Sequence, residues 1–377
     1  MSHTMLNFNS CRHRTLIHLK ALKSPNSSPF SLHFSTNTSN DSTPFPVSYL
    51  INNFGISPPS ASKLCSTYRF KFKTTQKPNN VLTFFRNHGF SDSQLRDMIP
   101  KEPELLSCNP SKRVLPKFQF LLSKGASKSD IVKLVSKNPM VLSPSLENHI
   151  IPTYELLYRC LQSHKETIDR VIGNPSLFYD RNVKRNIKML IENGVAEGNI
   201  ARLLRDRSRI FKSKDLLKLV EELKDLGFNP SKTSFGVAFK AKTTVTETLW
   251  KEKVDALKKW GWSDEDAHEA FKKKPYCMLV SIDKINLVMS YWVDKLGWDA
   301  MAIAKKPYIL TVSLEKRIIP RAAVVQFLLD KGLINKIASL TNLFVVPEKL
   351  FLDMLIKRFK NESSYLLKLY EEKRNHA

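Results

Sequence analysis

Basic side chains recur at equivalent places along this chain, a few residues after a series of prolines or the residues that replace them. Lysine and arginine bind phosphate oxygens through charge-assisted hydrogen bonds, so such a row could follow the backbone of a polynucleotide. The recurrence gives eleven candidate phosphate contacts: Lys112, Arg113, Lys117, Arg181, Lys184, Arg185, Lys212, Lys214, Lys316, Arg317 and Arg321. Each one taken alone could equally be a solvated surface cation, and Arg317 could pair with Glu315 or with a neighbouring helix. The support for the set is therefore its recurrence.

Two further groups of side chains near the prolines have a weaker claim to nucleic-acid contact. The lysines at 272–274 and 305–306 directly precede prolines, where they would also be favourable charges at a helix C-terminus. Four aromatic residues could stack on bases: Phe178, Phe211, Tyr276 and Tyr308. Their positions beside an apolar turn favour packing in the core instead. No base-reading code is predicted, because one sequence does not reveal which side chains reach a groove.

The residue patterns of common enzyme sites are missing from the sequence. It has no glycine loop ending in Gly-Lys-Ser or Gly-Lys-Thr, no His-Glu-x-x-His and no Gly-x-Ser-x-Gly, and its nine histidines do not cluster. The five cysteines lie far apart, which predicts neither a disulfide framework nor a zinc site. The acidic cluster Asp264-Glu265-Asp266 follows a candidate N-cap, Ser263, and is interpreted as the first turn of a helix. We therefore expect a protein that is not an enzyme and needs no cofactor, metal or small-molecule substrate.

The prolines mark a repeated structural unit. They stand at positions 103, 139, 175, 275 and 307, so the first three are 36 residues apart and the last two 32. The gap of 100 residues between Pro175 and Pro275 would hold two units that have lost the proline. A period of this length is typical of stacked helical hairpins. It predicts an all-α fold, a curved α-helical solenoid of tandem helix-hairpin repeats.

Start and stop signals inside the period predict two helices in each unit. Before Pro139, the residues Ile131, Leu134 and Val135 have the spacing of one apolar helix face, and Gly125 stands fourteen residues before the proline. The glycine fits a left-handed helix C-terminus, and a serine two residues later fits an N-cap. Three residue pairs predict capping boxes: Ser91 with Gln94, Ser127 with Asp130 and Ser263 with Asp266. The proline then ends the second helix, and the apolar residues after it would form a short turn beneath the hairpin.

The chain divides into four parts on these signals. They are an organelle transit peptide (1–40, disordered), an N-terminal cap (41–78), seven to eight repeats (79–360) and a C-terminal helix or tail (361–377). The first part contains four basic residues, Arg12, Arg14, Lys20 and Lys23, but no acid, which is typical of an import signal. A merely disordered basic tail would have much the same composition.

Some units depart from the pattern. The third lacks the glycine near His164, and the fourth has Ser208 where the proline should stand. The fifth, around residues 227–242, keeps little of the apolar face, and the last two shorten the distance from the glycine to the proline position. These departures leave the local shape of the binding surface open.

The net charge also requires a partner or a targeting signal. Lysine and arginine number 60 against 35 aspartates and glutamates, a formal net charge of +25. An excess of this size favours a polyanionic partner such as nucleic acid. No apolar stretch approaches the roughly 18 residues of a membrane-spanning helix, so no membrane partner is predicted.

With the hairpin, its proline and the following apolar residues identified, the chain resembles the plant organellar members of the mitochondrial transcription termination factor (mTERF) family. The resemblance covers nearly everything after residue 46. It is carried by the segments 47–51 (Val-Ser-Tyr-Leu-Ile), 82–90 (Leu-Thr-Phe-Phe-Arg-Asn-His-Gly-Phe), 145–152 (Ser-Leu-Glu-Asn-His-Ile-Ile-Pro), 260–263 (Trp-Gly-Trp-Ser) and 313–321 (Ser-Leu-Glu-Lys-Arg-Ile-Ile-Pro-Arg). It implies a curved helical solenoid that binds nucleic acid on a basic concave surface and acts in organelle transcription, its termination, or the processing of intron-containing transcripts. The transit composition and the resemblance together favour the mitochondrion, with the chloroplast as the alternative.

Two classes of function follow from these observations. The first is a monomeric factor that binds double-stranded DNA, intron RNA or both, and regulates organelle gene expression. Eight hairpins at the usual interhelix distance would form an arc of roughly 70 Å, which matches about 20 base pairs. The alternative is a helical scaffold for proteins, whose positive charge would serve acidic partners. A scaffold would keep its partners after nuclease treatment, whereas a nucleic-acid-binding factor would lose them.

Overall fold

The computed structural model describes residues 44–68, 70, 72–334 and 341–375. The predicted transit peptide, residues 1–40, lies outside them. Of the described residues 77% are helical, and none of them lies in a strand. This confirms the predicted all-α solenoid of tandem helices. No helix within the described ranges is both long enough and apolar enough to cross a membrane.

The first helices pair into successive hairpins. Two helices, α1 (Phe45–Phe54) and α2 (Pro58–Tyr68), precede the first hairpin and pack on each other. The next three units contain α3 (Gln76–Asn87) and α4 (Asp92–Met98), then α5 (Pro110–Arg113), α6 (Leu115–Ser123) and α7 (Lys128–Lys137), then α8 (Ile151–Leu161), α9 (His164–Gly173) and α10 (Ser176–Tyr179). Short turns complete these units: the 3₁₀ turns Ile99–Lys101, Pro103–Ser107 and Pro139–Leu142, and a π-helical turn, Leu146–Ile150, before α8.

The second half of the chain continues the same alternation. Its helix pairs are α11 (Arg181–Glu192) with α12 (Glu197–Arg207), α13 (Leu216–Asp225) with α14 (Thr233–Thr244), α15 (Glu247–Lys258) with α16 (Asp264–Lys273), α17 (Ile282–Ser290) with α18 (Ala300–Lys305), and α19 (Ile319–Asp330) with α20 (Thr341–Val345). The turns are the 3₁₀ segments Ser208–Lys212, Pro275–Leu279 and Pro307–Thr311 and the π-helical segments Tyr291–Lys295, Leu314–Ile318 and Leu352–Ile356. Two last helices follow, α21 (Glu348–Phe351) and α22 (Ser363–Asn375), and α22 packs on α19.

Polar caps start the second helices as predicted. Ser91, Ser127 and Ser263 each accept a hydrogen bond from the backbone N–H three residues further on, and the side chain at that third position bonds back to the serine N–H. These three capping boxes satisfy N–H groups that the helix itself leaves free. The acidic cluster at 264–266 therefore forms the first turn of α16, and no group of side chains suited to hold a metal ion occurs among the described residues.

The turn between the two helices of a unit requires a left-handed residue. Gly125 adopts φ 90°, a conformation that costs a residue with a β-carbon about 1 kcal/mol or more. In the third unit, which lacks the glycine, Gln162 takes this role at φ 55°. Its side-chain amide donates to the carbonyl of Arg159 at 2.6 Å, so a local hydrogen bond supports the strained backbone. The turn is thus preserved where its sequence signal is lost.

The segments after the prolines form part of the core. In the turn after α7, Pro139, Val141 and Leu142 are buried, as are Cys277 and Met278 in the turn after α16. The proline ends the second helix, and the backbone then reverses direction. Helices alone would leave a gap at this end of each hairpin. The apolar turn fills that gap, which confirms the short buried turn predicted after each proline.

Helix α14 explains why the fifth unit has no amphipathic pattern. Its residues from Phe235 to Phe239 are all buried, because the helix packs both on α12 and on the turn Pro275–Leu279 of the next unit. Gly236 lies against the side chain of Asn199 in α12, and a β-carbon at 236 would lie 2.5 Å from its Oδ1. The amide of Asn199 donates to the carbonyls of Pro230 and Lys232 at 3.2 and 2.8 Å. Close approach of two helices therefore depends on this glycine.

We expect Gly236→Ala to lower the free energy of unfolding by about 2 kcal/mol, because the new methyl group must displace Asn199 and break its two hydrogen bonds. The matched control is Gly198→Ala on α12, where a β-carbon would meet nothing within 4 Å. That variant should be neutral or more stable by up to about 1 kcal/mol. Urea unfolding followed by circular dichroism measures both, and equal stability of the two variants would contradict the proposed contact.

Candidate nucleic-acid interface

The antiparallel hairpins give the stack of units two distinct edges. First helices begin where the proline turns lie and end at the left-handed glycines, and second helices run back to the prolines. We name these the proline-turn edge, which carries turns such as Pro139–Leu142, and the glycine-turn edge, which carries residues such as Gly125. All eleven predicted phosphate-binding residues lie in the proline turns or in the segments and first helices that follow them. They therefore belong to one edge.

Six of the eleven candidates have exposed side chains. They are Lys112, Arg181, Arg185, Lys212, Lys214 and Lys316. Lys212 lies 3.9 Å from a carboxylate oxygen of Asp180, a weak ion pair at the surface. The other five form no ion pair within the part of the chain that the structure describes. These cations are available to a ligand.

Three candidates are half-buried and partly committed to contacts inside the protein. Arg113 lies 3.9 Å from Glu102 and 3.8 Å from Glu104 of the preceding unit. Glu102 is buried beneath it, and that burial raises the pKa of its carboxyl group. Lys184 donates to the carbonyl of Asn148 at 3.1 Å.

Arg317, the third half-buried candidate, donates to the carbonyl of Val346 at 3.2 Å. Of the two alternatives considered for this residue, the contact with a neighbouring segment is the one observed. The guanidinium groups of Arg113 and Arg317 and the ammonium of Lys184 each carry further N–H groups beyond these contacts.

The last two candidates, Lys117 and Arg321, are corrected by the structure. Their residues are only 5% and 1% exposed, so both side chains are largely withdrawn from solvent. Lys117 donates to the carbonyl of Leu142, and Arg321 donates to the carbonyls of Leu343 and Val346 at 2.6 and 2.8 Å. In both cases a first helix holds the turn that ends its own unit. These cations are structural, because a buried carbonyl without a donor would be costly.

Two residues with the same structural role were missed from the sequence. Asn186 donates to the carbonyls of Phe211 and Ser213 at 2.8 and 2.7 Å, and Lys253 donates to the carbonyl of Val280. A signal for them was present. Lys117, Asn186 and Lys253 each stand eight residues before the left-handed glycine of their unit, at a place where an apolar residue would otherwise face the core. Burial lowers the pKa of Lys253, and it lowers that of Lys117, together with the charge of Arg113, to about 8.

At the glycine-turn edge, several cations form close ion pairs. Four of them form close ion pairs with carboxylates: Arg86 with Asp92 at 2.7 Å, Lys124 with Glu155 at 3.1 Å, Arg159 with Glu197 at 2.6 Å, and Lys258 with Asp264 at 2.7 Å. Three other lysines at this edge, Lys128, Lys165 and Lys259, are exposed and form no ion pair within the described chain. The paired cations weaken the local field of this edge relative to the proline-turn edge, where five of the predicted contacts are unpaired. The contrast singles out the proline-turn edge as the surface for a polyanion.

A surface cleft at the proline-turn edge has the composition of a phosphate site. It has a volume of about 520 Å³ and lies between the second and third units. Its lining includes the cations Lys112 and Arg113, the largely buried Lys117, and the hydroxyl-bearing residues Ser143 and Ser145. Ser145 also caps the helical segment that starts at Leu146, so the positive end of that segment adds to the field of the two cations.

The candidate stacking residues fall into two groups. Phe178 and Phe211 are almost fully buried and pack in the core, as favoured from the sequence. Tyr276 is 41% exposed, and Tyr308 is half-buried beside it in the next unit. The core interpretation therefore fails for Tyr276, whose ring is at the surface.

A stack of helical hairpins with exposed, unpaired cations at its proline-turn edge defines a helical-repeat protein with a basic surface. The sequence profile of the mTERF family matches residues 82–240 and 242–352, and the chain belongs to this family. A curated relative, the Arabidopsis thaliana protein named transcription termination factor MTERF15, mitochondrial, is 33% identical over 82 residues. That alignment spans 22% of this chain and 18% of the relative.

We expect Lys117→Ala to lower the free energy of unfolding by about 2 kcal/mol or more, because it removes both the donor to Leu142 and the packing of the lysine stem. The control is Lys112→Ala, which removes an exposed cation five residues away and should change stability by no more than about 0.5 kcal/mol. Urea unfolding at pH 7 measures both. Equal stability of the two variants would contradict the structural role of Lys117 and favour its original assignment as an exposed phosphate contact.

The stabilising effect of Lys117 should depend on pH. Its pKa is about 8 in the folded protein and 10.5 in an ordinary lysine. Between these values the unfolded chain binds more protons than the folded protein, so stability rises with pH across this window. The free-energy difference between wild type and Lys117→Ala should grow from pH 8 to pH 10, by at most roughly 1.4 kcal/mol per pH unit. Unfolding measured at pH 7, 8, 9 and 10 tests this, and a constant or shrinking difference would contradict a buried charged lysine.

Proposed function

We propose that the protein binds nucleic acid along its proline-turn edge and regulates organelle gene expression. Membership of the mTERF family supports a role in nucleic-acid-related gene expression in an organelle. The observation that carries the proposal is the difference in charge pairing between the two edges. Five of the predicted contacts at the proline-turn edge are unpaired, whereas four cations at the glycine-turn edge are neutralised by carboxylates and three exposed lysines there are not. Phosphates are the ligands that such a row of exposed cations would take.

Double-stranded DNA is the ligand whose geometry fits the row most simply. The unpaired cations run from Lys112 in the second unit to Lys316 near the C-terminal end, so contacts would be spread over several successive units. A phosphate backbone supplies one charge at each nucleotide, which suits many weak contacts better than one deep pocket. Structured RNA, including intron RNA, would present a similar row of phosphates and is included in the proposal.

The cellular role proposed is transcription termination or regulation, or the processing of intron-containing transcripts, in the mitochondrion. The name of the Arabidopsis relative supports both the organelle and a link to termination, although the aligned segment is short. Binding requires no catalytic group, so the proposal is of a non-enzymatic factor that acts by occupying its site. Crosslinking in isolated organelles, followed by sequencing of the bound DNA and RNA, tests the choice of target.

We expect binding of a 20-base-pair duplex to weaken steeply with salt, with a slope of log affinity against log salt near −5 to −9 for about six to ten neutralised phosphates. The triple variant Lys112→Ala, Arg185→Ala, Lys316→Ala should reduce the magnitude of that slope by roughly 3, about one for each lost contact. Fluorescence anisotropy between 50 and 300 mM salt measures both proteins.

The matched control carries the same change of charge at the glycine-turn edge. It is the triple variant Lys128→Ala, Lys165→Ala, Lys259→Ala, whose three lysines are exposed and form no ion pair in the described part of the chain. Its slope should stay within about one of the wild-type value. Equal losses in the two triple variants would mean that only net charge matters, and the proposed edge would be wrong.

A further inference from the structure

A tetrapeptide occurs twice at the proline-turn edge. Lys-Lys-Pro-Tyr stands at residues 273–276 and again at 305–308. The first copy joins α16 to the turn Pro275–Leu279, and the second joins α18 to the turn Pro307–Thr311. These two turns pack against each other in neighbouring units. The duplicated residues therefore lie side by side.

Core packing does not explain the ring of Tyr276, which is 41% exposed, although the half-buried ring of Tyr308 packs partly against the core. In these turns the core is supplied by the prolines and by the second and third residues after them, which are Cys277 and Met278 in one turn and Ile309 and Leu310 in the other. The residue directly after the proline position is exposed in four units, at Glu104, Met140, Arg209 and Tyr276, whereas Ser176 is buried and Tyr308 is half-buried against the core. Other units have a glutamate, a methionine, a serine and an arginine in this place: Glu104, Met140, Ser176 and Arg209. An aromatic ring is thus not needed to build the turn.

One lysine lies between the two rings. The ammonium of Lys274 is 5.7 Å from the ring centroid of Tyr276 and 4.7 Å from that of Tyr308. Both distances are in the range of cation–π attraction. The ammonium of Lys274 therefore interacts with both aromatic rings, and its positive charge lies between them.

The remaining lysines of the two copies have no partner inside the protein. Lys273, Lys305 and Lys306 are exposed, and none forms an ion pair or a side-chain hydrogen bond in the described chain. An equivalent residue elsewhere behaves differently, since Lys137, two places before its own proline, donates to the carbonyl of Gly173 at 3.1 Å. The charge of the duplicated pair is therefore not used to cap a neighbouring helix.

We propose that the two Lys-Lys-Pro-Tyr copies form a binding site for single-stranded nucleic acid. Unpaired bases stack on the rings of Tyr276 and Tyr308, and the surrounding lysines contact the adjacent phosphates. Bases within a duplex are already stacked on each other, so the rings cannot engage them in the same way. The inference rests on the proposed nucleic-acid-binding function and adds to it a segment of the edge that selects unpaired strands.

The test compares binding of a labelled 12-nucleotide single-stranded RNA with that of a 20-base-pair DNA duplex, using fluorescence anisotropy of the full-length protein. Tyr276→Ala should weaken binding of the single strand roughly fivefold or more, and the double variant with Tyr308→Ala should weaken it further. Binding of the duplex should change less than about twofold in both. The double variant with phenylalanine at both positions should retain the single-strand affinity, because it keeps the rings.

Three controls separate stacking from other causes. Tyr365→Ala removes a tyrosine of α22 that is 51% exposed and should leave both affinities unchanged. Since Tyr308 is half-buried, its variants are checked for an unchanged unfolding midpoint, and Tyr276→Ala alone carries the test if they unfold. An abasic single strand of the same length should bind more weakly than the RNA to wild type and should not respond to Tyr276→Ala.

The outcomes distinguish this inference from the broader function. If the duplex binds with the expected salt dependence but the tyrosine variants keep full affinity for the single strand, the stacking site is wrong and the broader function stands. Equal losses on single strand and duplex would also overturn it. So would an equal loss of binding to a labelled polyglutamate peptide, which would indicate an acidic protein partner. If neither nucleic acid binds, both proposals fail.

Discussion

Four of the units depend on hydrogen bonds between the first helix and the turn that ends the unit. The break after the second helix leaves backbone carbonyls that no helical N–H can satisfy, and packing then removes them from water. Lys117, Asn186, Lys253 and Arg321 supply the missing donors from the first helices. Long polar side chains suit this task, because their stems pack in the core while their ends reach across the hairpin. The bonds thus fix the turn, and with it the edge that the turn forms.

This constraint divides the basic residues into two populations. Basic residues inside a unit donate hydrogen bonds to backbone carbonyls and are largely buried. Basic residues that follow the turn on its outer side keep their charged groups exposed. Lys112 and Lys117 are five residues apart on the same part of the chain, yet one is exposed and the other buried. Fixed turns also hold the outer cations at regular positions. A surface that meets a regular polyanion benefits from such preorganisation, because less side-chain and backbone freedom is lost on binding.

Much of the fold could be predicted from the sequence, because its signals are local. Ser127 and Asp130 form the predicted capping box, and Gly125 takes the predicted left-handed conformation. The site was harder to predict. Position within a repeat says where a residue lies along the unit, but the side of the helix that faces the turn depends on how two helices and a turn pack together. For this reason Lys117 and Arg321 were placed at the surface, and Asn186 and Lys253 were overlooked. Gln162 was missed because a glutamine carries no signal for a left-handed turn.

The same reasoning clarifies the aromatic residues near the turns. A residue two or three places after the proline, such as Phe178 or Phe211, lies on the inner side of the turn and is buried. The residue directly after the proline position lies on the outer side in four units, including that of Tyr276, and its identity there is free of the core. The side chain of Tyr276 is therefore exposed to solvent or to a ligand. Two tyrosines in neighbouring units, each preceded by the same pair of lysines and joined by one ammonium, are then more simply explained by one extended ligand than by two independent choices.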